Sequence, residues 1–155
     1  MTTTRAHRRR ASRSPVQTAA LVVGVLFLAV GAAGFIPGLT SGYDSMQIIG
    51  HESHAMLLNS FQVSVLHNVV HLAFGVLGVL LSRTAAQARL FLLVGGLVYL
   101  ALWLYGLVVD FESAANFVPL NTADNWLHLG LGLAMVALSF LRRERSPQPN
   151  RARPA

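Results

Sequence analysis

VQTAALVVGVLFLAVGAAGFI, from Val16 to Ile36, holds no charged side chain, and its only polar ones, Gln17 and Thr18, stand at its start. An α-helix rises 1.5 Å per residue, so about 20 residues of this kind cross a hydrocarbon core of about 30 Å. Pro37 and Gly38 close the run. Working outward, further apolar stretches follow at 56–82, 88–109 and 125–141, the last gaining a turn at its start from Asn121 to Asp124. The chain is 54% hydrophobic and 12% charged, about half the charge of an ordinary soluble domain. Lipid is therefore its expected solvent. The sequence predicts an all-α, integral membrane four-helix bundle over 15–141, with tails at 1–14 and 142–155 too rich in Arg, Pro and polar residues to bury a core.

The arginines set the expected orientation. They lie in the two tails and at Arg83 and Arg89, between the second and third stretches, and neither of the other loops has one. Asp44, Glu52, Asp110, Glu112 and Asp124 lie in or beside those other loops. Positive charge is retained on the cytoplasmic side, which predicts a multi-pass plasma-membrane protein with both termini inside. Trp103, Tyr105 and Trp126 fall near the expected outer boundary, where amphipathic rings settle. A secretory signal also begins with arginines and an apolar run, but this run is longer than the usual 7–15 residues, so it is expected to stay as a span. The absence of cysteine removes disulfides, thiolate metal sites and cysteine nucleophiles. The charge of +6 is accounted for by topology and the lipid surface, and nothing points to a nucleic-acid partner.

The chain also repeats itself. Shifted by 57 positions, Asn68, His71, Leu72 and Gly75 fall on Asn125, His128, Leu129 and Gly132, and Val79, Leu81 and Ser82 on Val136, Leu138 and Ser139. Shifted by 72, Gly24, Leu28, Ala29 and Gly34 fall on Gly96, Leu100, Ala101 and Gly106. Glu52-Ser53-x-Ala55 echoes Glu112-Ser113-x-Ala115 in the outer loops. Two tandem helical hairpins of one orientation are expected. Small residues at four-residue spacing, Ala20/Gly24 and Gly130/Ala134, suit close helix packing.

Polar residues gather in the outer half. His67 and His71 share a helix face about 6 Å apart, with Asn68 beside them. Asp124, Asn125 and His128 repeat that face in the fourth stretch. Ionisable groups in a membrane often mark a site. His71 and His128 are candidate axial ligands for a haem, and His67, His71 and His128 candidate ligands for a divalent metal. A proton relay through the histidines and Asp124 is a further reading. The favoured one is plainer: these residues hydrogen-bond between helices, and the protein is a non-enzymatic membrane subunit or scaffold that meets lipid, a membrane-protein partner or its own copies. Asp124 is also placed to complete a capping arrangement with Asn121. His67-Asn68-x-x-His71 has zinc-protease spacing but lacks the glutamate base, so that chemistry is rejected. Asp44, His51, Glu52 and His54 read as a solvated loop.

The stretches Gly50-His51-Glu52-Ser53, Phe61 to Asn68, Leu102-Trp103-Leu104-Tyr105-Gly106 and Ser113 to His128 resemble a bacterial family of small four-span membrane proteins catalogued as domain of unknown function 4383. The resemblance runs from Ser14 to Leu141. It implies a membrane location and four spans, and no activity or cofactor. A looser likeness to DoxX-type four-helix membrane proteins points toward redox work only by analogy of architecture.

Overall fold

The computed structural model describes residues 13–142. Four α-helices dominate: α1 (Pro15–Ala33), α2 (Val65–Leu81), α3 (Ala85–Val108) and α4 (Thr122–Ser139). Two of them, α1 and α3, are long and apolar enough to cross a membrane, each with a mean hydropathy of 2.2. The tails expected to be disordered lie, apart from Arg13, Ser14 and Arg142, outside the described residues.

Each helix begins where a short polar side chain can accept an orphan backbone N–H. Ser64 accepts from His67 N, Thr84 from Gln87 N and Asn121 from Asp124 N. At α1, Pro15 occupies the first turn and Gln17 turns back to accept the Ser14 N–H. Helix α1 stops at Ala33, where the Gly34 N–H still reaches the Val30 carbonyl and Gly38 then takes a φ of +96°.

The second apolar stretch, read as one span over 56–82, is helical only from Val65. Its first residues pair instead in a small antiparallel sheet of β1 (Thr40–Ser41), β2 (Met56–Leu57) and β3 (Phe61–Gln62), in the order β1-β2-β3. The turn between β2 and β3 places Leu58 and Asn59 in the left-handed region, at φ 52° and 55°. That conformation cannot continue a helix. The all-α expectation therefore holds for the helices and misses this loop sheet.

Packing follows the repeat. Helix α1 packs mainly on α2, and α3 on α4. At the first crossing, a Cβ on Gly24 would meet Val79 N at 2.8 Å, and one on Gly75 would meet Leu28 N at 2.7 Å. At the second, a Cβ on Gly96 would meet Val136 N at 2.9 Å, and one on Gly132 the Leu100 side chain at 2.8 Å. These four glycines let the helix backbones approach closely. Gly24 fits the close-packing expectation, but Gly130 and Ala134 do not: Gly130 has nothing within 4 Å and Ala134 is exposed. The close contact on α4 is made by Gly132, on the opposite side of the helix.

One end of the molecule is closed by side chains that take free helix carbonyls. Gln17 Nε2 donates to the Ser82 and Arg83 carbonyls at 3.1 and 2.7 Å, and Arg89 to those of Ser139 and Leu141 at 3.0 and 3.3 Å. Gln17 and Arg89 are equivalent under the 72-residue shift. An apolar core of Val16, Ala20, Phe91, Leu92 and Met135 fills the interior on this side. At the other end the two long loops meet: Gly50 N donates to the Phe117 carbonyl and Asn121 Nδ2 to the Ser60 carbonyl.

Candidate functional site

Between the apolar core and the loop end lies a layer of polar side chains turned inward. Asn68, Asp124, Asn125 and His128 are all buried, while the outward faces of the helices carry Val22, Val25, Leu26, Leu77, Leu97 and Leu133. Asn68 and Asn125 occupy matching places. Each packs its amide against a glycine, Gly34 at the end of α1 and Gly106 of α3 respectively, and in each the Oδ1 has no hydrogen-bond partner among the described residues. A carbonyl oxygen laid on a glycine Cα gains only a weak C–H···O contact, so the pair works chiefly through fit.

At the centre, Phe27 of α1 stacks on Tyr99 of α3 with centroids 5.5 Å apart. These two are also equivalent under the 72-residue shift. His71 meets the Phe27 ring edge-on at 5.5 Å, and His128 meets the Tyr99 ring edge-on at 5.0 Å. Both histidines stand out in the sequence as candidates, whereas Tyr99 does not. Its signal was available: shifting the first hairpin onto the second puts a phenol where the first has a plain ring.

His71 is fully engaged. Its Nδ1 lies 2.9 Å from the His67 carbonyl, which can only accept, so Nδ1 carries the hydrogen. Nε2 is then the acceptor of the neutral ring, and the Tyr99 hydroxyl, 3.2 Å away, donates to it. The His67 ring lies parallel to that of His71, with centroids 4.3 Å apart. His67 makes no side-chain hydrogen bond among the described residues, and His128 Nδ1 is buried without a partner.

His67, His71, His128 and Tyr99 line one cavity of about 170 Å³ between α2 and α3. Phe117 and Pro119 of the second long loop cover it from the loop end. The three histidines are thus brought to one hollow. Among the described residues, however, no three His, Asp or Glu side chains are arranged to hold a metal ion. Stacking sets His67 and His71 side by side instead of pointing them at one centre.

Asp124 stands apart from the cavity. Its Oδ2 accepts the Asn121 N–H at 3.2 Å, completing the capping box of α4, and the Gln62 N–H of β3 at 3.0 Å. In the first long loop, Asp44, Glu52 and His54 are exposed and His51 is half-buried. The echo between Glu52-Ser53 and Glu112-Ser113 is not carried into structure. Ser53 is buried and donates to the Val63 carbonyl, whereas Ser113 closes a local turn onto Asp110.

A family model described as Domain of unknown function (DUF4383) matches residues 17–141. No curated protein and no solved structure matches the chain.

Proposed function

This chain belongs to the DUF4383 family, whose description assigns no activity, and on that premise we propose that it is a four-span integral membrane bundle serving as a non-enzymatic membrane subunit or scaffold. In this reading both termini are cytoplasmic, and two tandem hairpins are fastened by the buried Asn, His and Asp side chains. The observation that carries it is the inversion of polarity. Large apolar side chains, among them Val22, Leu26, Val76, Leu90, Leu97, Leu107 and Leu133, cover the outside while Asn68, Asn125 and His128 are buried. An apolar exterior of this extent has no stable home in water and suits lipid. The surrounding lipid, a partner membrane protein or further copies of the chain are its proposed company.

Haem or metal ligation is less well supported by the geometry. Nε2 of His71, the nitrogen turned away from its own backbone, is held by Tyr99, so ligation there has to break a part-buried hydrogen bond. Proton conduction is less well supported too. Between the polar layer and the end holding Arg83 and Arg89 the interior is filled by Phe91, Leu92, Met135, Ala20 and Val16. No polar relay continues through them.

The test uses the absence of native cysteine. Single cysteines at Glu52, Ser113 and Thr84 are treated in intact cells with a membrane-impermeant maleimide. The reading expects Glu52→Cys and Ser113→Cys to label from outside and Thr84→Cys only after lysis. Labelling of Thr84→Cys in intact cells, or recovery of the protein in the soluble fraction without detergent, sinks it.

A further inference from the structure

The two hairpins repeat their packing contacts but not the lining of the cavity. Where side chains pack the helices together, the halves agree: Asn68 with Asn125, Gly34 with Gly106, and the rings of His71 and His128 each edge-on to an aromatic ring. At the cavity they part. Tyr99 stands where the first hairpin has Phe27, and His67 where the second has Asp124. The Asp124 carboxylate is tied to two backbone N–H groups. Among the described residues neither His67 nor His128 makes a side-chain hydrogen bond, and both rings line the same hollow. Tyr99 holds His71 and Asp124 caps α4, but no such contact occupies the rings of His67 and His128 among the described residues. Imidazole nitrogens left without partners in apolar surroundings are costly, and a partner belongs in the space between them.

The shape of that space narrows the partner. A cavity of about 150 Å³ takes one benzene ring, and this one measures about 170 Å³. Leu66 and Val70 of α2 and Val98 of α3 line it and are each about two-fifths exposed, at 41%, 43% and 40%. It therefore opens sideways between α2 and α3, onto the apolar exterior. No Arg, Asp or Glu lines it, so a charged head would meet no counter-charge. A hydroxyl both donates and accepts, so it satisfies an imidazole nitrogen in either tautomer.

We propose that this cavity binds the ring head of a membrane-dissolved phenol: one six-membered ring whose hydroxyl hydrogen-bonds to His128 or His67, with an apolar chain leaving between α2 and α3 into lipid. The route of entry rests on the membrane reading above, whereas the hydrogen bond does not.

The test uses the full chain in detergent with two matched probes, 4-pentylphenol and pentylbenzene, followed by titration calorimetry and by the unfolding temperature. Saturable, one-to-one binding of 4-pentylphenol is expected, tighter than pentylbenzene by roughly three- to tenfold, the worth of one net hydrogen bond. Val98→Phe, at the mouth, removes that binding and leaves the unfolding temperature of the free protein unchanged. Leu26→Phe, at the equivalent place on α1, leaves binding intact. Equal affinity for the two probes, binding that survives Val98→Phe, or no saturable binding of 4-pentylphenol each overturns the proposal. A chain that stays in solution without detergent overturns the membrane reading alone, since calorimetry still reports on the cavity.

Discussion

A methyl group on Gly34 would fall in the space already filled by the Oδ1 of Asn68. Gly106 stands in the same relation to Asn125. Neither asparagine can retreat without opening a void beside a buried amide. Gly34→Ala and Gly106→Ala are each expected to destabilise by about 1–3 kcal/mol, the usual cost of overpacking. Gly130→Ala meets nothing within 4 Å and is expected to stabilise α4 by up to about 1 kcal/mol. Thermal unfolding in detergent checks all three, and a neutral Gly34→Ala would show that the amide is not held on that glycine.

Gln17 and Arg89 do the same work in the two hairpins, each donating across to the last carbonyls of the neighbouring helix. Arg89→Ala leaves those of α4 without the donor and is expected to lower stability by about 1.5–3 kcal/mol, the range for a hydrogen bond to a charged group. Arg89→Gln, which copies the first hairpin, is expected to recover at least half of that loss. If Arg89→Gln is as damaged as Arg89→Ala, the guanidinium acts through its charge at the helix end and not through the bonds.

Much of this was legible in the sequence, for identifiable reasons. The long apolar runs mark helices, because length and polarity dominate in so apolar a chain, although α2 begins at Val65 and α3 at Ala85 where the runs begin at 56 and 88. The Asn68/Asn125 and His71/His128 matches led to equivalent contacts because a repeated sequence meets a repeated neighbour. The loop sheet was hidden because Met56, Leu57 and Phe61 are as apolar as a span, and two-residue strands leave no alternation to read. Gly130 misled for a related reason. Four-residue spacing to Ala134 gives a face but not which face meets a partner. The cavity could not be foreseen, since it depends on how far α2 stands from α3. Arg89 was legible as a charge and not as a hydrogen-bond donor.

The tautomer of His71 is a sharp consequence of its two contacts. With Nδ1 donating to the His67 carbonyl, Nε2 accepts from Tyr99. Long-range proton–nitrogen spectra of imidazole-labelled protein are expected to show a protonated Nδ1 and an unprotonated Nε2 for this residue. Tyr99→Phe, which makes the centre resemble its partner at Phe27, should move the Nε2 resonance and leave Nδ1 nearly in place. Its cost in stability is expected to be about 0.5–1.5 kcal/mol, one neutral hydrogen bond. Equal movement of both resonances would mean that the ring has turned and the carbonyl contact does not hold it.

Asp124 joins two parts of the molecule through one oxygen. Its Oδ2 accepts from Asn121 N, within the capping box of α4, and from Gln62 N on β3. The Gln62 side chain in turn donates to the His51 and Ser53 carbonyls at 3.0 and 2.7 Å. The buried carboxylate thus ties the first long loop to the start of a helix, where the helix dipole also favours negative charge. Asn121→Ala removes the cap together with the bond that Nδ2 gives the Ser60 carbonyl, and is expected to cost about 1–2 kcal/mol. Asp124→Ala removes both accepted bonds, and its expected cost is larger, about 2–3 kcal/mol. Asp124→Asn keeps an acceptor and should cost less than Asp124→Ala. Hydrogen exchange separates the clamp from the cap. The Gln62 amide, which loses its own acceptor only in Asp124→Ala, is expected to exchange faster in that variant than in Asn121→Ala. If both variants expose Gln62 alike, its protection comes from the β2–β3 pairing, and the carboxylate serves α4 alone.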